Sequence, residues 1–341
     1  MKAFLTTLIA LTFCFCLNAQ DIRVLFVGNS YTYVNDLPNL LTSLAETNKK
    51  TIKTTSFTTG GARFMTHWQN EDLKQEIQKG NYDIMILQGQ SQEVAFPPNQ
   101  FYQEVYPYAK KLDSLFKEYN PQGRVIYFMT WGYRYGDKQN CQFYSPFCSY
   151  ETMSKELCKN YSTMALDLQS EVSPIGTAWL YLYNQDTASF DLHSQDYSHP
   201  NTKGSYFSAC VLYTTIFQKE ISSTYYFSLN EEEATKLQQT ASLLFSNYTL
   251  TDCEYVSGLR EIEENPFSVY YNDKEQQLSI TTTQNITNIT IDIYNLMGVK
   301  VKQYTAKNTT SINLDVKQLN HGYYIAKIRT DNAIYTHAFV K

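Results

Sequence analysis

Between Asp21 and about Asp252 the chain alternates short apolar runs with amphipathic stretches, and this pattern constrains the fold more than any other feature. Segments such as Leu37–Thr47, Phe101–Glu118 and Thr152–Glu171 carry apolar residues at helical spacing. Strands that alternate with helices form a parallel sheet covered on both faces. The pattern predicts an α/β domain with about five parallel strands, at Val24–Val27, Ile52–Thr58, Ile84–Gln88, Val125–Thr130 and Ser173–Thr177.

The period of the pattern changes after an acidic segment that contains Gly258 and Pro266. Short alternating strands joined by turns are typical of a small antiparallel β-sandwich. They are predicted at Leu278–Thr282, Ile289–Tyr294, Lys300–Tyr304, Ser311–Asp315, Gly322–Arg329 and Ile334–Val340. We therefore expect a signal peptide at 1–19, an α/β domain at 20–252, a linker at 253–266 and a β-sandwich at 267–341.

The first nineteen residues have the composition of a secretory signal peptide. Lys2 supplies the positive start, Phe4–Leu17 is apolar, and Ala19 is a small residue suitable for cleavage before Gln20. This apolar run is too short to span a bilayer well, and no second one follows. The sequence predicts an exported protein without a membrane-spanning segment.

Five cysteines follow the predicted cleavage site, and export permits disulfides. Cys141 and Cys148 flank a short loop and are the favoured pair, although spacing alone does not determine connectivity. Cys210 lies in an apolar run and is expected to be a buried free thiol. None of the five has the paired short spacing of a zinc site, so no metal is expected.

The amino-acid composition restricts the classes of partner that this protein can bind. The net charge is −5 and no cluster of lysine or arginine occurs, which argues against nucleic acid and anionic membrane surfaces. The 29 tyrosines are numerous for this length. Tyrosine suits grooves that meet polar, ring-shaped ligands, although it also fills strands.

Ser30 follows the first predicted strand directly, on a turn that would expose its hydroxyl at the carboxyl edge of the sheet. A serine hydroxyl is a poor nucleophile unless a histidine accepts its proton and a carboxylate orients that histidine. Asp196 and His199, three residues apart before Pro200, can supply both groups from one loop. The alternative is that Ser30 caps the following helix. Asp191 is a rival acid, and His193 is expected to be solvated.

A tetrahedral intermediate also needs hydrogen-bond donors for its oxyanion. The candidates are the backbone N–H groups of Ser30 and Gly61 and a side-chain amide at the end of the third strand. Gln90 is preferred to Gln88 for that amide, and either could instead satisfy local backbone groups. Asn29, Gln88 and Trp131 are candidates for the substrate pocket. His67 is expected to be buried, whereas packing and sugar stacking are equally open for Trp131 and Trp179, both expected at strand ends.

The order of these motifs resembles the SGNH/GDSL hydrolase superfamily, and more narrowly its exported Bacteroidetes branch, domain of unknown function 4886. The resemblance rests on Gly-Asn-Ser-Tyr-Thr, Leu-Gln-x-Gln-Ser-Gln, Thr-Trp-Gly and Asp-x-x-His-Pro, and covers about Asp21 to Phe217. It implies a flavodoxin-like three-layer fold and an esterase in which Ser30 is nucleophile and first oxyanion donor. It also implies Gly61 as second donor and Asp196 and His199 as the rest of the triad.

This chain departs from the superfamily pattern at two places. Asn29 replaces the aspartate of the Gly-Asp-Ser block, and Gln90-Ser91 replaces the block whose asparagine supplies the third donor. Related sialate and xylan acetylesterases carry a comparable glutamine segment, which is compatible with esterase chemistry.

The C-terminal sandwich resembles the type A sorting domain of the type IX secretion system. The matching stretches are Ile291–Gly298, Leu319–Tyr324 and His337–Lys341. This resemblance implies passage through the secretion machinery and then release or attachment at the cell surface.

Taken together, the sequence predicts a secreted serine esterase that removes O-acyl groups, acetyl above all, from a carbohydrate without metal or cofactor. Two alternatives stay open. One is a non-catalytic glycan-binding protein on the same fold, and the other is a lipase-like esterase, for which the polar chain lacks an evident apolar lid.

Overall fold

The computed structural model describes residues 21–185, 187, 191–247, 253, 267–272, 274–295, 299–330 and 334–341. The chain divides into two compact units, residues 1–257 and 258–341. The predicted signal peptide, and the predicted linker apart from Cys253, lie outside the described residues.

The first unit is built on a five-stranded parallel sheet with the order β2-β1-β3-β4-β5. This is the flavodoxin-like order, in which ligands bind beyond the carboxyl ends of the strands where the order reverses, here between β1 and β3. The predicted fold class is confirmed. The strands are β1 (Ile22–Gly28), β2 (Ile52–Thr58), β3 (Ile84–Leu87), β4 (Arg124–Phe128) and β5 (Glu171–Ser173).

Helices cover both faces of this sheet and create two separate cores. Alternate residues of one strand point to opposite faces, so Val24 and Phe26 enter one core while Leu25 and Val27 enter the other. The helices are α1 (Ser30–Tyr33), α2 (Leu37–Thr47), α3 (Phe64–Trp68), α4 (Glu71–Gln78), α5 (Pro98–Gln100), α6 (Tyr106–Tyr119), α7 (Tyr150–Leu168), α8 (Ile175–Gln185), α9 (Thr202–Phe217) and α10 (Glu231–Asn247). No helix within the described ranges combines the length and apolarity needed to cross a bilayer.

The fifth strand was placed too late by the sequence pattern. The predicted strand Ser173–Thr177 ends at Ser173, and residues from Ile175 onward form α8. Pro174 lacks a backbone N–H for the ladder and therefore ends the strand. Gly176 then packs against the segment that follows β4, where a Cβ would lie 2.0 Å from the carbonyl oxygen of Thr130.

The second unit is a five-stranded antiparallel sheet that encloses its own core. Two long strands each replace two shorter predicted ones. One contains the strands predicted at 278–282 and 289–294, and the other contains those predicted at 300–304 and 311–315. The first half of β7 pairs with β6 and its second half with β9, while β8 runs along both halves and the register shifts between Thr281 and Ile286. The strands are β6 (Phe267–Asn272), β7 (Gln277–Asn295), β8 (Lys300–Asp315), β9 (Tyr323–Thr330) and β10 (Ile334–Val340).

Two disulfides are present among the described cysteines. Cys141 pairs with Cys148 as predicted, and Cys158 of α7 pairs with Cys253. Cys210 is a buried free thiol, which confirms the prediction from its apolar surroundings.

We expect the two disulfides to differ in their effect on stability. The sequence separations are 95 residues for Cys158–Cys253 and 7 for Cys141–Cys148. The loop-entropy relation then predicts that loss of the long-range disulfide costs about 2 kcal/mol more. Urea unfolding of Cys158→Ala/Cys253→Ala against Cys141→Ala/Cys148→Ala measures this difference. An equal loss in the two double variants would contradict it.

Candidate active site

The turn after β1 presents Ser30 at the carboxyl edge of the sheet. Asn29 has an extended backbone, and its side-chain oxygen accepts from the N–H of Tyr31 at 3.0 Å, so Asn29 is the N-cap of α1. Ser30 is the first residue of that helix rather than its cap. The capping role that a serine here could have played belongs to its neighbour, which leaves the Ser30 hydroxyl available.

Gln88, at the end of β3, holds this turn from beneath. Its side-chain oxygen accepts from the N–H of Asn29 at 3.0 Å and from the hydroxyl of Thr32 at 2.7 Å. Its amide nitrogen donates to the Asn29 side-chain oxygen at 2.8 Å and to the carbonyl of Gly89. Gln88 is completely buried and uses both amide hydrogens, so it has no donor left for a substrate.

His67 of α3 supports the same turn. It is buried, and its Nε2 donates to the carbonyl oxygen of Gly28 at 2.9 Å. Burial lowers the pKa of His67 to about 4, with the Gly28 hydrogen bond only partly opposing the shift. The packing role predicted for this histidine is confirmed.

The loop before α9 carries the two other predicted residues. Asp196 folds it, because its Oδ1 accepts from the N–H groups of Ser198 at 3.0 Å and His199 at 2.9 Å. The N–H of Ser194 donates to the carbonyl of His199 at 2.7 Å and closes the loop. Asn201 then caps α9 by accepting from the N–H of Gly204 at 2.9 Å.

The structure brings Ser30, His199 and Asp196 together. The Ser30 Oγ and the His199 Nε2 are 2.8 Å apart, and the His199 Nδ1 is hydrogen-bonded to the Asp196 Oδ2. Because an ionised carboxylate only accepts, Nδ1 carries the proton and Nε2 is left to accept from the serine hydroxyl. Partial burial raises the pKa of Asp196, but the hydrogen bonds from the His199 ring and from the two backbone N–H groups outweigh it. The net pKa is below its usual value.

Asp191, the rival acid named from the sequence, and His193 lie outside this arrangement. Asp191 accepts from the side chain of Asn201 at 3.2 Å. The expectation that His193 is solvated was wrong, since it is buried and its Nε2 donates to the carbonyl of Gly132 at 3.0 Å. Burial lowers its pKa to about 4. Its bridge to Pro200 places it under the loop, as part of its base.

Two backbone N–H groups near the serine have no acceptor among the described residues. Ser30 is the first helical residue, so its N–H has no partner within α1. The N–H of Gly61 lies in the turn after β2 and makes no hydrogen bond, and φ of Gly61 is +69°. A Cβ on Gly61 would meet no atom within 4 Å, so this turn faces open space.

Gln90 differs from Gln88 in what its side chain offers. Its oxygen accepts from the N–H groups of Gln92 at 3.0 Å and Glu93 at 3.1 Å, which folds the segment after β3. Its amide nitrogen donates one hydrogen to the hydroxyl of Ser91 at 2.8 Å. The side chain is partly exposed, so its amide group is accessible to a ligand.

Glu93 ties the turn after β2 to the segment after β3, and sequence reasoning gave it no role. This fully buried carboxylate accepts from the N–H of Gln90 at 2.8 Å and the N–H of Phe64 at 3.1 Å, and pairs with Arg63 at 2.8 Å. Burial raises the pKa of Glu93, and these hydrogen bonds only partly offset the increase. The signal for this role in the sequence was the position of Glu93, three residues after Gln90 at the end of the third strand.

The pocket predicted from Asn29, Gln88 and Trp131 is not formed by these residues, because all three are buried. Trp131 is stacked between Tyr31 and Trp179, at centroid distances of 4.6 and 3.8 Å, and donates to the carbonyl of Ser198 at 3.0 Å. Packing therefore explains Trp131. It also explains Trp179, which lies in α8 instead of at a strand end.

A chain of hydroxyl groups lies between these buried rings and the loop. The hydroxyls of Tyr31 and Ser198 are 2.6 Å apart, and those of Ser91 and Tyr133 are 2.8 Å apart. The Tyr133 hydroxyl also donates to the side chain of Gln92 at 2.8 Å. The Tyr31 and Ser198 members of this set directly adjoin Ser30 and His199 in the sequence.

Comparison with known proteins supports the two-part organisation. Residues 268–341 match the family model described as a secretion system C-terminal sorting domain. This confirms the resemblance predicted for that segment and implies export, followed by secretion or surface attachment.

The first unit has the fold of a DUF4886 family protein from Bacteroides uniformis ATCC 8492. The two are 16% identical, the match covers 71% of this chain and 98% of that chain, and the TM-score is 0.56. The predicted resemblance is confirmed at the level of the fold.

More distant structural matches include esterases. A psychrotrophic esterase from Pseudoalteromonas is 12% identical over 58% of this chain and 98% of its own, with a TM-score of 0.42. An acetyl xylan esterase is 14% identical over 57% of this chain and all of its own, with a TM-score of 0.42. Among curated proteins, none matches the sequence.

The low pKa of His67 predicts a specific pH dependence of stability. The unfolded chain takes up a proton near pH 6.5, whereas folded His67 does so only near pH 4, so acid favours unfolding between these values. The variant His67→Gln keeps a donor for Gly28 but does not titrate. Between pH 7 and pH 4, its free energy of unfolding should therefore fall by roughly 3 kcal/mol less than that of the wild-type protein. Urea unfolding followed by tryptophan fluorescence measures it, and parallel pH profiles for the two proteins would contradict the assignment.

Proposed function

We propose that this protein is a serine esterase in which Ser30, His199 and Asp196 form the catalytic triad. The observation that carries the proposal is the continuous hydrogen-bonded path from the Ser30 Oγ through the His199 ring to the Asp196 carboxylate. This is the arrangement that serine hydrolases use on several unrelated folds, so geometry identifies it better than sequence position does.

In the acylation step, the Ser30 Oγ attacks the carbonyl carbon of the ester while the His199 Nε2 takes the serine proton. Asp196 holds the ring in the required tautomer and stabilises the imidazolium that forms. Collapse of the tetrahedral intermediate breaks the bond to the alcohol oxygen, which leaves with the proton from His199. Water then attacks the acyl-enzyme by the same route, the bond between the acyl carbon and the Ser30 Oγ breaks, and the carboxylic acid is released as Ser30 takes back its proton from His199.

The negative oxygen of both tetrahedral intermediates needs preorganised donors. The N–H groups of Ser30 and Gly61 and the partly exposed side-chain amide of Gln90 are the donors proposed for it. Glu93 supports the segments that carry Gly61 and Gln90, because it bonds to the backbone of Phe64 and of Gln90. We assign Gln90 as the third donor, since both amide hydrogens of Gln88 are already used.

The proposed substrate is an acylated carbohydrate, with acetyl the favoured acyl group. The glutamine segment after β3 resembles that of sialate and xylan acetylesterases, and the sorting domain implies that the protein meets extracellular esters. Hydroxyl and amide groups surround the triad, which suits a sugar better than a lipid chain. Residues 20–252 would carry this activity and residues 267–341 the export function.

The nucleophile is tested by Ser30→Ala. We expect wild-type protein to react with a fluorophosphonate probe and to hydrolyse p-nitrophenyl acetate, and the variant to lose the label and on the order of 10³-fold or more in kcat. Ser56→Ala, at an exposed position of β2, is the control and should retain both. Absence of labelling of the wild type between about pH 6 and 9 would favour a non-catalytic glycan-binding protein.

The third donor is tested by Gln90→Glu. The carboxylate can still accept from the N–H groups of Gln92 and Glu93, but it no longer donates to an oxyanion. We expect kcat to fall by on the order of 10²-fold or more. Gln92→Glu adds the same charge to the same segment and keeps an acceptor for Tyr133, so it is the matched control. Equal effects of the two substitutions would refute the assignment.

A further inference from the structure

Two exposed aromatic side chains, Tyr135 and Tyr197, lie beside the candidate triad and play no part in it. They are 53% and 51% exposed. Their ring centroids are 4.8 Å apart and the ring planes cross at 67°. Tyr197 directly follows Asp196 and lies two residues before His199, so this tyrosine pair is on the rim of the proposed active site.

A tight turn fixes the position of Tyr135. The N–H of Gly136 donates to the carbonyl of Tyr133 at 2.9 Å, which closes a turn with Tyr135 at its third position. Gly136 has φ of +69°, and a Cβ there would lie 2.4 Å from the carbonyl oxygen of Phe147. Only glycine fits this position, so the turn that carries Tyr135 is rigidly placed.

The two tyrosines are also connected through the backbone. The N–H of Arg134 donates to the carbonyl of Tyr197 at 2.8 Å, and the N–H of Tyr197 donates to the carbonyl of Ser194 at 2.9 Å. Tyr197 is held at φ +62°, a conformation that is rare for a bulky side chain. Such strain persists only where the surroundings impose it, and it is concentrated at ligand-binding sites.

We propose that Tyr135 and Tyr197 form a sugar-binding platform that stacks on a pyranose ring of the substrate, next to the ring position whose acyl group reaches Ser30. The inference rests on the proposed esterase function for the identity of the ester. The platform would select the carbohydrate part of the substrate, while the triad and the oxyanion donors act on the acyl part.

The size of the platform favours a small ring-shaped ligand. Two half-exposed tyrosine rings offer on the order of 200 Å² of surface, against roughly 800 Å² per partner in a stable protein interface. The rim is also charged, because the Nζ of Lys138 lies 5.6 Å and the guanidinium carbon of Arg134 5.9 Å from the centre of the Tyr135 ring. A lipid chain would have to cover these cations, whereas the faces of a sugar ring can stack on tyrosine and its hydroxyls can bond to polar neighbours.

The first test compares a sugar ester with a sugar-free ester. Partially acetylated xylan, mannan and pectin oligosaccharides are assayed against p-nitrophenyl acetate. The measured quantity is kcat/KM for the best oligosaccharide divided by kcat/KM for p-nitrophenyl acetate. In Tyr135→Ala/Tyr197→Asn we expect this ratio to fall roughly five- to ten-fold, mainly because KM for the oligosaccharide rises. Asparagine is chosen at 197 because it tolerates the left-handed backbone.

Two controls separate stacking from a change in folding. Tyr135→Phe/Tyr197→Phe keeps both rings and should retain most of the preference for the sugar ester. Tyr119→Ala removes an exposed tyrosine at the C-terminal end of α6, at the opposite edge of the sheet, and should leave both rates unchanged.

The second test needs no turnover. Binding of the same oligosaccharides to Ser30→Ala protein, with and without the platform substitutions, is measured by calorimetry, and we expect the substitutions to weaken binding five- to ten-fold. An unchanged substrate ratio, or equal binding by the two Ser30→Ala proteins, overturns the platform even if the esterase proposal holds. Oligosaccharide binding that depends on the two tyrosines, without any labelling of Ser30, keeps the platform and refutes the esterase.

Discussion

The hydrogen bonds of one buried amide underlie the arrangement of the candidate site. Gln88 joins the carboxyl end of β3 to the turn after β1 through Asn29 and Thr32, and each of these partners is buried with it. A buried amide that is fully paired is stabilising, whereas the same group left unpaired would cost about 1–3 kcal/mol. The network therefore tolerates one geometry of the turn, and that geometry presents Ser30 to His199.

The remaining parts of the site are attached to this turn by two further buried groups. His67 holds the carbonyl of Gly28 from the helix side, and Glu93 links the segments that carry Gly61 and Gln90. Charge buried in this way is costly unless it is paired and hydrogen-bonded, and Glu93 has both an arginine partner and backbone donors. The geometry of a site assembled from the ends of several strands is thus fixed by hydrogen bonds within the protein.

Sequence reasoning predicted the first four strands because their apolar runs are bounded by polar turns. It also predicted the grouping of Ser30, Asp196 and His199, from the position of Ser30 after the first strand, the spacing of Asp196 and His199, and the resemblance to the SGNH/GDSL hydrolases. It misplaced the fifth strand, where the apolar run continues through Pro174 into α8. It also assigned Asn29, Gln88 and Trp131 to a pocket, because polar and aromatic residues at strand ends look alike whether they face solvent or a neighbouring loop.

The sequence by itself determined the order of the parallel sheet's elements, the change to an antiparallel unit and the residues proposed to perform ester chemistry. These properties depend on local periodicity and on the identity of side chains. Only the tertiary structure decided that Gln88 is buried while Gln90 is partly exposed, that His193 is buried, that Glu93 links two segments and that Tyr135 meets Tyr197. Each of these depends on contacts between residues distant in the chain, and such contacts leave no periodic trace in a single sequence.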